Sequence, residues 1–248
     1  QIKDKDEARS LERGQRIHKS EEELREELER LEARLAESSA DPDLLTEVGE
    51  LYRKLKDSEA ALEFIERAME YRRDSFDLAK SHGALKVKVL KKRIAKADKL
   101  EDSAKANKTE AELKEFELEL SRRLLAFRPG DAELRMNLAK RLLRAGEHDA
   151  AIGELQKVSS DPRTEREARF LLGQAFYAKG FGDLARKEFL LAIQDDARPD
   201  ERTKEILYNL ASIAEAAGEA EEARSYYSRI FEVDISYRDV AQKMEGFK

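Results

Sequence analysis

The sequence contains no cysteine and no tryptophan, and its 248 residues include only four prolines and eleven glycines. The absence of cysteine excludes disulfides, thiolate nucleophiles and thiolate metal sites. Turn-punctuated runs of β-branched residues, which strands need, are nearly missing. No apolar run approaches the roughly 18 residues that a membrane-spanning helix requires. These absences leave helices as the principal elements of the fold.

Charge is what the sequence has in abundance. Charged residues make up 41% of the chain, and the net charge is −6. Such a content of Glu, Lys, Arg, Ala and Leu is typical of long helices. A nucleic-acid-binding domain usually carries a basic excess, so we expect no nucleic-acid partner. The chain shows no signal peptide, which favours the cytoplasm, and because it begins at Gln1 without Met we expect a C-terminal fragment.

One pattern of apolar and small residues returns along the chain. Its copies begin at Val48-Gly49, Leu138-Ala139, Leu172-Gly173 and Leu210-Ala211. A glycine follows seven residues later in three copies, at Gly146, Gly180 and Gly218. Lys56 takes that place in the first copy. A second small residue then follows at Ala61, Ala151, Ala185 and Ala223.

Each part of this pattern has a physical interpretation. A small residue midway along a first helix lets a second helix approach closely. The following glycine suits a turn, because glycine tolerates a left-handed φ. The second small residue then marks the crossing point on the second helix. Two antiparallel helices cannot bury their apolar faces alone, so neighbouring pairs are expected to stack.

This pattern resembles the tetratricopeptide repeat family, in particular bacterial multi-repeat proteins. The resemblance implies an all-α fold, a right-handed α-solenoid of helix hairpins. We expect a charged N-terminal helix, which is a partial repeat, five repeats and a C-terminal capping helix. Their bounds are 1–40 for the partial repeat, 41–74, 75–130, 131–163, 164–198 and 199–234 for the repeats, and 235–248 for the cap.

The second repeat is longer than the others. The small markers Gly83 and Ala139 are 56 residues apart, whereas Gly49 and Gly83 are 34 apart. An excess of 22 residues lengthens each helix by 11 residues, close to three turns. This spacing predicts a projecting coiled-coil hairpin with its turn at Ser103 to Asn107. Thr109 and Glu112 have capping-box spacing and predict the start of the returning helix.

The two arms of this hairpin differ in charge. The outgoing arm is basic, and its candidate binding residues are Lys88, Lys91, Lys92 and Lys96. The returning arm is acidic, with Glu101, Glu110, Glu112, Glu115, Glu117 and Glu119. Two interpretations stay open: a basic finger that meets an acidic partner, or a solvated hairpin whose lysines are satisfied by its own glutamates.

The two ends of the chain carry apolar stripes. Leu24, Leu28, Leu31 and Leu35 form either the second helix of an incomplete repeat or a dimerisation seam. At the other end, Ser236 with Asp239 predicts an N-cap. The stripe that follows is expected to cover the last repeat or, alternatively, to bind a partner. It consists of Tyr237, Val240, Ala241, Met244 and Phe247.

The sequence offers no constellation for catalysis, a cofactor or a metal. His18, His82 and His148 are far apart, and none has a second histidine or a suitably spaced carboxylate pair. Gly180-Phe181-Gly182 lacks the third glycine and the preceding strand of a phosphate-binding loop. We therefore predict that the protein is not an enzyme and uses no cofactor.

The resemblance further implies a concave groove lined by the first helices of the repeats. The residues expected to line it are Met136, Lys140, Leu143, Arg144, Phe170, Gln174, Tyr177, Tyr208, Asn209 and Ser212. Aromatic rings with a Met favour an apolar or amphipathic segment as the ligand. The alternative is that these residues form the core between repeats. Only Lys140 and Asn209 match the carboxylate clamp of some family members, so that binding mode is not expected.

These features leave three alternative functions. The first is a protein–protein interaction scaffold, or adaptor, that binds protein or peptide segments in the groove. The second is a structural protein that self-assembles, as a homo-oligomer, through its N-terminal repeats or the elongated hairpin. The third is an enzyme or its regulatory subunit. The sequence favours the scaffold.

Overall fold

The computed structural model describes residues 21–193 and 199–247, and within these ranges every regular element is a helix. The chain divides into two compact units, Gln1–Phe127 and Arg128–Lys248, here called the N-terminal and the C-terminal unit. The described helices of the N-terminal unit are α1 (21–37), α2 (Pro42–Lys54), α3 (Ser58–Tyr71), α4 (Phe76–Lys99) and α5 (Ser103–Phe127). Those of the C-terminal unit are α6 (Ala132–Arg144), α7 (His148–Gln156), α8 (Glu165–Ala178), α9 (Gly182–Ala192), α10 (Glu201–Ala216), α11 (Ala220–Phe231) and α12 (Val240–Gly246).

Each unit is built of antiparallel hairpins. In the C-terminal unit the pairs α6/α7, α8/α9 and α10/α11 pack within themselves and then onto the next pair. In the N-terminal unit the same holds for α2/α3 and α4/α5. The fold class, an all-α solenoid of helical hairpins, is confirmed.

The turns between paired helices have the geometry that the glycine positions predict. Gly146, Gly180 and Gly218 have φ values of 77°, 78° and 78°. Lys56, in the corresponding place of the first hairpin, has φ 65°. A left-handed residue therefore follows the first helix in these four hairpins, and Glu101, with φ 55°, does the same between α4 and α5. An L-residue such as lysine adopts this conformation only at a cost.

Small residues mark the places where paired helices touch. A Cβ atom added to Gly173 would lie 2.6 Å from the ring of Phe189, and one added to Gly49 would lie 2.9 Å from Ile65. Ala139 and Ala211 hold the same position in their helices, and neither has any exposed surface. The predicted close approach at these markers is confirmed.

Aspartates begin several of the first helices. The carboxylate of Asp131 accepts hydrogen bonds from the amides of Glu133 and Leu134, at 3.0 and 3.1 Å. Asp41 caps α2 in the same way, and Asp200 caps α10 through the amide of Thr203 at 2.7 Å. These bonds satisfy amides that have no partner inside the helix.

The leucine stripe of α1 packs within the chain. Leu28, Leu31 and Leu35 are buried in one cluster with Leu45 and Val48 of α2, while Leu24 is partly buried at its edge. Near this cluster the hydroxyl of Tyr52, on α2, donates a hydrogen bond to Glu32 of α1 at 2.7 Å. The described part of α1 is therefore an integral helix of the N-terminal unit.

Helices α4 and α5 have 24 and 25 residues, more than any other named helix. Their rings meet edge to face, His82 with Phe116 at 5.6 Å and Phe76 with Phe127 at 6.1 Å. Leu120 occupies the space beside Gly83. That this pair is one lengthened and projecting repeat stays a prediction.

The start of α5 differs from the sequence-based prediction. The helix begins at Ser103, inside the segment that was expected to be the turn, because Asp102 accepts the Lys105 amide at 3.0 Å. Thr109 lies in the helix interior, where its hydroxyl donates to the Lys105 carbonyl at 2.8 Å. The capping box predicted at Thr109 is therefore wrong, since its hydroxyl bonds backwards to a carbonyl rather than forwards to an amide.

The C-terminal helix α12 packs against α11. Val240 is fully buried in a cluster with Tyr227 and Ile230, and Met244 and Phe247 are partly buried against it. Ser236 is not the N-cap that its spacing with Asp239 predicts: its hydroxyl donates to Asp234 at 2.8 Å, and the helix begins at Val240.

Candidate functional site

The first helices α6, α8 and α10 place a row of polar side chains on one face of the C-terminal unit. A cavity of about 290 Å³ opens between the beginnings of α6 and α8. Its lining residues are Ala132, Glu133, Met136, Asn137, Lys140, Arg163, Thr164 and Glu167. We call this row, with the cavity at one end, the inner face of the C-terminal unit.

Ion pairs and hydrogen bonds link the helices along the inner face. Lys140 of α6 pairs with Glu167 of α8 at 2.8 Å, and Gln174 of α8 donates to Glu205 of α10 at 3.1 Å. Arg202 of α10 also approaches Glu167, at 3.7 Å. Polar and oppositely charged side chains on the inner face therefore link successive first helices.

Arginines cover the aromatic rings of the inner face. The guanidinium carbon of Arg202 lies 4.4 Å from the ring centre of Phe170, and that of Arg238 lies 4.6 Å from the ring centre of Tyr208. Both distances are typical of cation–π contacts. The Tyr208 hydroxyl donates to Asp239 at 2.7 Å, and burial, together with this bond, raises its pKa to about 12.

Two residues predicted to line an open groove lie in the core instead. Met136 is 3% exposed and Phe170 is 4% exposed, and both belong to the buried cluster between α6, α8 and α9. Phe170 does not line an open groove, because Arg202 lies over its ring, whereas Met136, although buried, lines the cavity between α6 and α8. The surface is accordingly more polar than the sequence predicts.

The other candidate residues keep some contact with solvent. Tyr177 and Arg144 are exposed. The half-buried ones are Lys140, Leu143, Gln174, Tyr208, Asn209 and Ser212. The Ser212 hydroxyl is turned back to the Tyr208 carbonyl at 3.0 Å, so it is engaged within its own helix. The structure thus brings Lys140, Gln174 and Tyr208 into the row of bonded side chains.

Sequence reasoning missed the glutamates of this face. Glu133, Glu167 and Glu205 each stand six residues before the small marker of their helix, at Ala139, Gly173 and Ala211. The same shift that reveals the repeats would have revealed this periodic carboxylate. It was hidden by the general abundance of glutamate in the chain.

The basic candidate residues lie on α4 of the N-terminal unit. Lys88, Lys91, Lys92 and Lys96 are all exposed. Lys92 donates to the Ser58 hydroxyl at 3.2 Å, and the neighbouring Arg93 binds Glu59 with two hydrogen bonds. Both acceptors belong to α3, whereas the charge pattern predicts partners on the returning helix α5.

The histidines are separate in the structure as far as it describes them. His82 is buried, its Nε2 lies 3.2 Å from Glu66, and burial lowers its pKa despite that carboxylate. His148 is half-buried in another unit, and His18 lies outside the described residues. Over 21–193 and 199–247, no group of three or more metal-binding side chains comes together. The same ranges hold no helix that is both long and apolar enough to cross a bilayer.

Comparison with solved structures finds the same fold. The structure of YrrB, described as a TPR protein with an unusual peptide-binding site, has a TM-score of 0.56 at 15% identity, over 87% of this chain and 97% of that one. A MamA structure gives 0.52 at 15%, over 80% and 95%. A MamA fragment from Desulfovibrio magneticus RS-1 gives 0.51 at 14%, over 79% and 96%. These identities establish likeness of fold alone.

Family models account for more than half of the sequence. One tetratricopeptide repeat model matches residues 136–202, and a second matches 42–75 and 204–234. No curated protein matches the chain. The matched segments cover α2 and α3 in the N-terminal unit and nearly all of α6 to α11 in the other. The chain is therefore a multi-repeat member of the tetratricopeptide repeat family, whose repeats serve as protein–protein interaction modules.

Proposed function

We propose that the protein is an interaction scaffold that binds a peptide segment of its partner on the inner face of the C-terminal unit. The cavity between α6 and α8 carries this proposal. It is a concave site with a buried apolar floor at Met136 and a rim of hydrogen-bonding side chains, Asn137, Lys140 and Glu167. Such a combination suits a side chain of a bound segment.

The bonding along the inner face supports a ligand with polar and charged groups. Lys140, Gln174 and Glu205 have further donor or acceptor capacity beyond the bonds they make to each other. The rings of Phe170 and Tyr208 are covered by arginines, so a purely apolar segment would find little surface to bury there. Of the apolar or amphipathic ligands that the sequence favours, the amphipathic kind therefore fits better.

The YrrB structure agrees in kind with this proposal. It is described as a TPR protein with an unusual peptide-binding site, and it matches 87% of this chain. Peptide binding is thus compatible with a fold of this type.

We further propose that the exposed lysines of α4 form a second contact, for an acidic protein segment. Lys88, Lys91 and Lys96 are exposed on α4, at spacings of three and five residues along the chain. The pair Arg93 and Glu59 holds α4 against α3. A basic stripe on a fixed helix attracts an acidic segment from a distance.

Self-assembly is the rival function. The leucines of α1, which could have formed a seam between two chains, are instead buried against α2 within one chain. This observation favours the scaffold over assembly through that stripe.

A cavity-blocking variant tests the scaffold proposal. Wild-type protein and Asn137→Tyr are used to select peptides from a random library, and the affinities of the selected peptides are measured by calorimetry. Asn137 is exposed on the cavity rim, so a tyrosine obstructs the cavity without entering the core. We expect the variant to bind peptides selected by the wild type at least about tenfold more weakly, a loss of about 1.4 kcal/mol.

Asn107→Tyr is the matched control, because Asn107 is an exposed helix residue of the N-terminal unit. It should bind the same peptides as the wild type does. The proposal is overturned if no selected peptide distinguishes the two variants, or if the library yields no binder.

A further inference from the structure

Two of the three first helices of the C-terminal unit carry the same arrangement of side chains. Glu167 and Phe170 stand three residues apart on α8, and Arg202 lies over the ring while approaching the carboxylate at 3.7 Å. Glu205 and Tyr208 have the same spacing on α10, with Arg238 over the ring and 3.9 Å from the carboxylate. Arg202 belongs to the next first helix, α10, and Arg238 to the segment between α11 and α12.

The first helix α6 has the same two components. Glu133 and Met136 stand three residues apart, at the same distances from the small marker Ala139 as their counterparts from Gly173 and Ala211. Met136 is an apolar and polarizable floor, as the rings are in the other two helices. The place of the arginine is taken by another residue. Arg202 stands nine residues before the marker of α10, whereas Thr164 stands nine residues before the marker of α8.

Thr164 cannot take the place of that arginine. It is the cap residue of α8, and its short side chain is turned to the Val158 carbonyl at 2.8 Å. The adjacent Arg163 lines the cavity, but its guanidinium binds Asp161 at 2.8 Å and its side chain is 81% exposed. Within the described residues, no ion pair joins Glu133 to a basic side chain.

The cavity of about 290 Å³ lies at this place, between Glu133, Met136 and Thr164. The cavity thus lies at the one member of the series in which no arginine covers the apolar residue, although Arg163 at its edge feels the charge of Glu133. The volume is ample for a guanidinium group and its stem, and the opposite wall holds Glu167, which already pairs with Lys140 at 2.8 Å.

We propose that this cavity binds an arginine side chain of the partner segment, with its guanidinium over Met136 and paired with Glu133. The inference rests on the proposed function and specifies its ligand: the bound peptide presents an arginine to α6, in the way that Arg202 and Arg238 serve α8 and α10. Lysine fits less well, because its compact ammonium cannot lie flat over the floor while bonding sideways to a carboxylate.

The probe is N-acetyl-arginine amide, which is titrated into the full chain. Binding is measured from shifts of the protein's backbone amide signals in nuclear magnetic resonance spectra. Its citrulline counterpart, which has the same shape without the charge, is titrated in parallel. We expect arginine to shift the signals of Glu133, Asn137 and Glu167 and citrulline to shift them at least about tenfold less at equal concentration, as expected for a lost charge-assisted bond.

Glu133→Gln should remove the difference between arginine and citrulline, because it removes the paired charge. Glu221→Gln is the control: Glu221 is exposed on α11, away from the cavity, and its loss should leave the difference unchanged. Equal shifts by arginine and citrulline, or an arginine response that survives Glu133→Gln, would overturn the inference. If selected peptides depend on Asn137 but the arginine probe does not reach the cavity, the inference fails while the scaffold function stands.

Discussion

At the scale of single residues, buried glycines set how closely paired helices approach. Gly173 lies against the ring of Phe189, which has no exposed surface and cannot swing away. Gly153, in the interior of α7, has open space where a Cβ atom would be added. Both are helical glycines, so they differ mainly in what surrounds them.

We expect Gly173→Ala to lower the free energy of unfolding and Gly153→Ala to raise it. Alanine gains about 0.5–1 kcal/mol over glycine in either helix. At Gly173 overpacking against Phe189 costs about 1–3 kcal/mol and outweighs this gain. Urea unfolding of the two variants measures the difference, and an equal stabilisation of both would contradict the close contact.

The turn residues were largely predictable at this scale, and the ring contacts were not. The seven-residue interval from marker to glycine is local, so it identifies Gly146, Gly180 and Gly218 as left-handed residues from the sequence alone. Whether Phe170 faces solvent or core depends on Arg202, which is 32 residues further along the chain. A pattern within one helix cannot reveal a contact between residues so far apart in the sequence.

At the scale of elements, α4 carries both anchored and exposed basic residues. Arg93 and Lys92 bind Glu59 and Ser58 of α3. Lys88, Lys91 and Lys96 are exposed. The charge pattern suggested partners on α5, whereas the partners of Lys92 and Arg93 lie on α3, because charge alone does not specify which neighbour is nearer.

We expect the triple variant Lys88→Glu, Lys91→Glu and Lys96→Glu to lose binding to a poly-glutamate peptide by at least about tenfold at low salt, since charge reversal turns attraction into repulsion. Fluorescence anisotropy measures this loss, which should shrink as salt screens the charges. Double-stranded DNA is titrated in parallel, and tighter binding of DNA than of poly-glutamate would refute the acidic protein segment as the partner.

The control for α4 is the same triple reversal on α5, at Lys105, Lys108 and Lys114, which are exposed as well. It changes the net charge equally. An equal loss of binding in both triple variants would show that only net charge matters and would contradict a specific contact on α4.

At the scale of the whole molecule, the question is whether the chain acts singly or assembles. The stripe of α1 is the sequence feature that most favours assembly. In the structure, Leu35 is 5% exposed and packs in the same cluster as Leu45 and Val48. The burial of Leu35 therefore stabilises its own chain.

We expect Leu35→Ala to lower the free energy of unfolding by about 2–5 kcal/mol, the cost of a cavity in a packed core. Its mass in solution, measured by light scattering across a concentration series, should equal that of the wild type. Glu29→Ala, an exposed change on the same helix, should leave both quantities unaltered. A change of mass without loss of stability would instead indicate a seam between chains.

The sequence by itself determined the helical repeats, their turns and their small contact residues, because each depends on residues a few positions apart and on a pattern that occurs in four copies. Only the tertiary structure decided which side chains of the first helices remain accessible. Arg202 and Arg238 lie over rings of the preceding first helix, whereas Thr164 does not reach Met136. The cavity at Glu133 therefore depends on distances between helices. Such distances follow from packing, which no periodic pattern in one helix encodes.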